Sequence, residues 1–503
     1  MTALLAVALV FGREDVRGQV VPTVLDPNLT VRTVVSGLTQ PTTMAFLGPD
    51  DFLVLEKSTG RVKRVIGGVA QADPVIDLAV NSASERGLLG IALHPDFPNT
   101  PWVYLYWTCS AAPPPMDFPF FPTALRCPDE PALGADTNNI LAVPLLGNRL
   151  DRFVWDGTTL TFDKNLIMLH TFQYDGAPIP PGQGDQNQGP AGNHNGGVLR
   201  FGPDGKLYLI FGDNGRRGWM QNLRRGPTPP EDDDQFGGPA PDDFHLSGVI
   251  LRLNDDGSTP EDNPFFQVGA RIGGDVGANI QKVFSYGRRN SFGMDFDPQS
   301  GALWIEENGD DTFDEVSRVE AGDNGGWVQI MGPVQRVAQF KLMETTFDGM
   351  NLQQLRWPPT NIANTPRQAL SRLFQLPGSR YRDPQFSWRW AVAPAAIGFL
   401  NSNALGAEYE GDLFVGEART TLLGGYLFRF KLTRNRQAIA VFDRRLRDRV
   451  ADNFEKFDIT ESETLLFGFG FGIGTDIRTG PNGHLYVVSN SSGAVYEILP
   501  RTP

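Results

Sequence analysis

Cysteine, histidine and long apolar runs are all scarce in this chain of 503 residues, which holds two Cys and five His. Two Cys cannot build a disulfide-dense scaffold, and the absence of H-E-x-x-H or of Cys/His pairs at zinc spacing argues against a zinc enzyme. There is also no Gly-rich dinucleotide fingerprint, no phosphate-binding P-loop and no G-x-S-x-G element. A redox enzyme built on this chain would therefore not carry NAD or FAD on a Rossmann unit. Basic residues are in deficit as well: 44 Lys+Arg stand against 58 Asp+Glu, a formal net charge of -14. That balance excludes nucleic acid or an anionic membrane surface as the main partner.

The one apolar stretch able to engage a membrane, Ala3 to Phe11, is far shorter than the roughly 20 residues a spanning helix needs. No membrane span is expected. The stretch suits the apolar core of a secretory signal, although the basic residues that should precede it are missing, which puts the expected start of the leader further upstream. An ordinary N-terminal segment is the alternative. Residues 1–25 are accordingly set apart as leader-like or disordered, and 26–503 as one domain. An exported chain can join Cys109 to Cys127 in a disulfide; two free buried thiols are the other reading.

Glycine and proline are abundant, at 56 and 39 residues, and 40% of the chain is hydrophobic, enough for a large core. Helical periodicity is rarely sustained. Short apolar runs recur instead, each bounded by Gly, Pro, Asp or Asn, the pattern of strands joined by tight turns. One phrase repeats: Gly48-Pro49-Asp50-Asp51 before Phe52–Leu55, Gly202-Pro203-Asp204-Gly205 before Lys206–Ile210, and Gly480-Pro481-Asn482-Gly483 before His484–Val488. Looser copies precede Ala302–Ile305 and Asp412–Val415. Proline presets the first turn angle, Asp or Asn bonds its own backbone, and Gly takes the positive φ that closes the turn. A second turn and strand follow some copies, as at Arg61–Val65 and Ala494–Ile498. One such hairpin cannot bury its own face, so the repeats predict an all-β fold in which small sheets stack radially, a β-propeller, with the ring closed by the chain ends. A pair of β-sandwiches is the alternative. Three segments are too long for hairpin turns, at about 110–192, 216–246 and 333–384, and are expected as functional loops over one face.

His194 lies in Gly192-Asn193-His194-Asn195-Gly196-Gly197, where small neighbours let a ligand approach an imidazole suited to proton removal. A turn histidine is the plainer reading. Three polar clusters end other expected strands: Gly212-Asp213-Asn214-Gly215, Gly287-Arg288-Arg289-Asn290, and Glu306-Glu307-Asn308-Gly309-Asp310-Asp311 with Asp314-Glu315 beyond it. The last offers carboxylates and Gly-flanked carbonyls of the kind that bind Ca²⁺, without EF-hand spacing. A solvated acidic turn would look similar.

In order along the chain, these segments resemble the soluble quinoprotein glucose/sorbosone dehydrogenase family, which includes the aldose sugar dehydrogenases. Further matching runs are Gly37–Pro41, Glu56–Arg61, Glu85–Phe97, Gly248–Asn254, Gly326-Trp327, Ala393-Pro394 and Gly411–Phe414. The resemblance implies a six-bladed propeller that uses pyrroloquinoline quinone (PQQ) with Ca²⁺ to oxidise the anomeric C–OH of an aldose, with electrons passed to an external acceptor in a periplasmic or secreted setting. It assigns His194 as catalytic base, Asp213 as its supporting carboxylate, and Arg289 and Asn290 as contacts to the quinone oxygens. Asn308 takes a neighbouring cofactor position, Arg419 faces a cofactor carboxylate, and Glu85 stands where some relatives have a substrate-facing Gln. Gly309 and Asp310 fall at the active-site Ca²⁺, and Glu315 with Asn324 at a second, structural one.

The chain departs from the family at an Arg-x-Arg-Asp pattern, replaced here by Ile473-Gly474-Thr475-Asp476. A quinone with three carboxylates would then depend on other cations, such as Arg216 or Arg217. The same loss suits a non-catalytic propeller that binds carbohydrate or protein; a Ca²⁺-dependent hydrolase or lactonase is a third reading.

Overall fold

A computed structural model describes residues 22–109, 147–170, 194–213, 246–347, 359–418 and 424–501. The expected turn phrase is built as its residue types require. Gly205 and Gly483 adopt φ of 71° and 79°, and their N–H groups bond Gly202 O and Gly480 O at 2.9 Å. Asp204 Oδ1 and Asn482 Oδ1 each accept a backbone N–H two residues on, at 3.1 Å. In the first copy Asp50 takes the positive φ, at 54°, as the short polar side chain of Asp tolerates.

Each phrase leads into the second strand of a sheet: Asp51–Glu56, Leu207–Phe211, Leu303–Glu307, Leu413–Glu417 and Leu485–Ser489. Four of these are buried along their whole length. A strand loses solvent on both faces only where sheets stack on each side of it, and this accounts for continuous apolar runs such as Leu207–Phe211. The described strands form six sheets, mostly antiparallel. Their innermost strands, Pro41–Gly48, Leu88–Leu93, Leu199–Phe201, Gly293–Phe296, Pro394–Phe399 and Gly474–Thr479, touch in that order and return to the first. Separate apolar clusters fill the wedges between neighbours. Leu53, Ile91 and Leu105 lie in one, Tyr106, Leu199 and Leu251 in the next, and Phe52, Val488 and Val495 where the last sheet meets the first. Each fully buried aliphatic or aromatic side chain here contributes about 1.5–3 kcal/mol. The architecture is an all-β propeller.

The ring closes as expected from the chain ends, because Leu29–Ser36 pairs antiparallel with Ala494–Pro500 in one sheet. The N-terminal boundary needs correction, since Thr23–Val24 already pairs with Gly468 and Phe469. The expected insert at 110–192 is also corrected. It contains the long hairpin Gly147–Trp155 and Leu160–His170, which supplies the outer strands of the second sheet. Polar residues hid these strands: Arg149, Asp151 and Asn165 are buried but bonded to one another, with Arg149 Nε to Asp151 at 2.9 Å and Asn165 Nδ2 to Asp151 at 2.6 Å. Within 333–384 stand two helices, Val337–Phe347 and Pro366–Arg372. The second starts as its sequence dictates, with Thr365 Oγ1 accepting Gln368 N–H at 3.2 Å and Pro366 at the first turn. Most of 216–246 lies outside the described residues. Cys109 is disulfide-bonded; Cys127, the other cysteine, lies outside the described residues. Among those residues no helix is long and apolar enough to cross a membrane.

Candidate active site

The turns leading into two neighbouring innermost strands, Leu199–Phe201 and Gly293–Phe296, and the end of the second strand Leu207–Phe211 bring His194, Asp213, Arg289 and Asn290 together. Gly212 makes this approach possible. A Cβ there would lie 2.4 Å from His194 O and 2.6 Å from Arg289 O, closer than real Cβ contacts, so only glycine lets the three segments meet. Asp213 N–H then donates to Arg289 O at 2.9 Å.

His194 is buried and has a left-handed backbone, φ 56°. Its Nδ1 lies 2.6 Å from Asp213 Oδ1. The other carboxylate oxygen, Oδ2, accepts the indole N–H of Trp327 at 2.7 Å. Asp213 is thereby fixed from both sides, and the carboxylate orients the ring so that Nε2 is the nitrogen left for chemistry.

Trp327 also carries the Arg289 guanidinium 5.4 Å from its ring centroid. Arg289 pairs with Asp310, donates from Nη1 to Asn308 O at 2.9 Å, and its own N–H bonds Glu307. Burial opposes the guanidinium charge, but Asp310 and Asp213 outweigh it and hold the group above its ordinary range. Asn308 is tied on by its N–H to Asn290 O at 2.7 Å and by Nδ2 to Pro394 O at 2.8 Å. Asn290 itself is buried, and its Oδ1 has no hydrogen-bond partner among the described residues. An orphaned acceptor at such a depth asks for a ligand or water donor.

The acidic cluster is a buried one. Asp314 accepts Gly309 N–H at 2.8 Å and the Val392 and Ala393 N–H groups at 2.7 Å, yet burial pushes its carboxyl up to about 6. Burial also raises Glu306, Glu307 and Glu315, and for Glu315 the charge of Glu307 adds to the effect. Glu315 accepts Gly332 N–H at 2.5 Å, while Asn324 takes Gly326 N–H at 2.9 Å. Among the described residues no three His, Cys, Asp or Glu side chains form a metal-binding group, so a cation at Gly309 and Asp310 would depend on backbone carbonyls.

Three site contacts come from residues that the sequence reading did not assign to these roles. Trp327 was legible only as half of a Gly-Trp pair; its signal is that a buried indole N–H needs an acceptor. Glu344, on the helix Val337–Phe347, accepts Asp311 N–H at 3.2 Å and Thr312 Oγ1–H at 2.8 Å, which braces the loop that carries Asp310. Lys57 donates to Ser82 O at 3.1 Å and Ser84 O at 2.8 Å. Those bonds hold the turn that delivers Glu85, whose Oε2 accepts His194 N–H at 2.6 Å. Arg216, Arg217 and Arg419 lie outside the described residues. At the departure from the family pattern, Thr475 Oγ1 bonds Pro41 O at 3.2 Å, and Arg478 is committed to Asp476 at 2.9 Å.

The fold and site define a β-propeller with a buried His–Asp pair beside a buried guanidinium. The sequence pattern of the Glucose / Sorbosone dehydrogenase family matches residues 38–114 and 184–365, and the chain belongs to that family. It is 27% identical over 315 residues to quinoprotein glucose dehydrogenase B of Acinetobacter calcoaceticus, a match over 61% of this chain and 53% of that protein. To the aldose sugar dehydrogenase YliI of Escherichia coli K12 it is 27% identical over 312 residues, 62% of this chain and 61% of the relative. These matches thus span little more than half of each curated relative. The PQQ-bound aldose sugar dehydrogenase of Streptomyces coelicolor shares the fold, with a TM-score of 0.52 at 22% identity over 94% of this chain and 98% of that one.

Proposed function

We propose that this protein is a six-bladed propeller oxidoreductase that oxidises the anomeric C–OH of an aldose with PQQ and Ca²⁺ and passes the electrons to an external acceptor. The observation that carries the reading is the buried relay from Trp327 through Asp213 to His194, set against Arg289. With Nδ1 held by Asp213, Nε2 of His194 is the atom that takes the sugar hydroxyl proton, and the Asp213 carboxylate stabilises the imidazolium that results. Loss of that proton prepares the anomeric carbon to give up its hydrogen with two electrons, leaving a lactone. Arg289 supplies fixed positive charge where negative charge develops, inside a buried site.

The residues present fit the cofactor at its reactive end. Arg289 and the side-chain amide N–H groups of Asn290 and Asn308 would hold the quinone oxygens, with Arg419 toward a carboxylate; carbonyls at Gly309 and Asp310 would hold Ca²⁺, and Glu315 with Asn324 a second ion. When bound, the quinone supplies the two-electron acceptor and Ca²⁺ polarises its carbonyl. The apolar stretch Ala3–Phe11 and the bonded Cys109 support a periplasmic or secreted location.

Reconstitution with PQQ and Ca²⁺, followed by dye reduction with a panel of aldoses, tests this reading. Turnover is expected in the wild type and lost in His194→Ala, with quinone absorbance retained after desalting in both. No reduction and no retained quinone would refute it. A second reading, a binding propeller for carbohydrate or protein, is favoured by the neutral Ile473 and Thr475; saturable sugar binding without retained quinone would select it.

A further inference from the structure

Glu85 sits on the turn ahead of Leu88–Leu93, His194 on the turn ahead of Leu199–Phe201, and Asn290 just before Gly293–Phe296, so the three belong to three successive sheets. One carboxylate oxygen joins them. Glu85 Oε2 accepts His194 N–H at 2.6 Å and faces Asn290 Nδ2 at 3.5 Å. The first contact is short and charge-assisted, and it falls on the backbone of a β-carbon-bearing residue at φ 56°, a conformation that costs energy and persists only where the surroundings enforce it. The turn that carries Glu85 is itself fastened. Lys57 Nζ holds Ser82 O and Ser84 O, Leu88 N–H bonds Lys57 O at 3.0 Å, and Ser84 is at φ 54°.

We propose that Glu85 is a positioning residue: its carboxylate locks the backbone of His194 in the left-handed conformation and ties it to Asn290, which sets the base against the cofactor side chains across three blades. The inference rests on the reading of His194 as base. It gives Glu85 a task different from the substrate contact that its place in the family suggests. The substrate would meet a histidine whose direction is fixed before binding.

Two variants separate the roles. Glu85→Gln keeps an acceptor oxygen and the side-chain volume, whereas Glu85→Ala removes both. Hydrogen exchange by mass spectrometry, on peptides spanning residues 194–198, reports the lock without any need for turnover. Exchange there is expected to rise about tenfold or more in Glu85→Ala, the factor by which losing one hydrogen bond to a charged acceptor moves an opening equilibrium. The Gln variant should stay within about threefold of wild type, and the distant strands 413–417 and 485–489 should be unchanged in both. In the PQQ- and Ca²⁺-loaded enzyme, kcat should fall about tenfold in Glu85→Ala with little change in KM, and Gln should restore most of it. Unchanged exchange at 194–198 in the Ala variant, or a raised KM with kcat intact, overturns the proposal. If the loaded wild type shows no turnover, the catalytic reading fails by itself, and the exchange result alone decides whether Glu85 holds His194.

Discussion

Lys57 offers the most direct test of how tightly the Glu85 turn is built. Burial pushes its ammonium down from 10.5 to about 8, against the pull of Glu85 and with a smaller push from Arg86. In the folded chain Lys57 therefore releases its proton near pH 8, while the unfolded chain keeps it to about 10.5. Between these values the unfolded state binds more protons, so stability rises with pH, and below pH 8 the folded state carries the full cost of a half-buried charge. A displacement of one decade corresponds to about 1.4 kcal/mol. The whole displacement would be about 3 kcal/mol, and solvent screening of a partly exposed amine brings it to about 1–2 kcal/mol. A neutral amine retains two N–H donors, so the bonds to Ser82 O and Ser84 O survive the titration. Urea unfolding of wild type and Lys57→Met at intervals from pH 7 to 10 is the assay. The stability of wild type relative to the variant should climb by about 1–2 kcal/mol across that range. Competitive acylation of the lysines should place half-maximal reactivity of Lys57 near pH 8. Parallel stability curves, or a Lys57 that reacts like an exposed lysine, would refute the argument.

Trp327→Phe keeps an aromatic ring but removes the indole N–H that donates to Asp213 Oδ2, and should cost about 1.5–3 kcal/mol in urea unfolding at neutral pH. It should also weaken turnover of the loaded enzyme. Gly90→Ala places a Cβ 1.9 Å from Gly197 O, so the segment after His194 must shift. A stability loss of about 1–3 kcal/mol is expected, with raised exchange at 194–198, read by thermal melts and mass spectrometry.

Much of the fold was legible because its information is local. The turn phrases at 202–205 and 480–483 specify their own geometry, and the apolar runs after them can be buried only between stacked sheets. Ring closure followed from copies of the phrase near both chain ends. The hairpin at 147–170 escaped notice for the opposite reason: its buried Arg149 and Asn165 both bond Asp151, and such pairing is invisible until the strands are paired. At the site, His194, Asp213, Arg289 and Asn290 were legible as polar residues set among glycines at strand ends, and the structure brings them together. What a linear reading missed is the support around them. Trp327, Glu344 and Lys57 each act through contacts made across a long stretch of sequence, and Glu85, noted for its place in a motif, gives an oxygen to the backbone amide of His194.

The closing pair Leu29–Ser36 and Ala494–Pro500 has a consequence in time. The first of these strands leaves the ribosome early and waits for a partner near the far end of the described chain, a delay of roughly 25–100 s at about 5–20 residues per second. Until then the closing sheet is incomplete, the wedge lined by Phe52, Val488 and Val495 stays open to water, and the ring cannot tighten around the groups it aligns. A nascent or prematurely ended chain would thus expose apolar strand edges and be a substrate for chaperones.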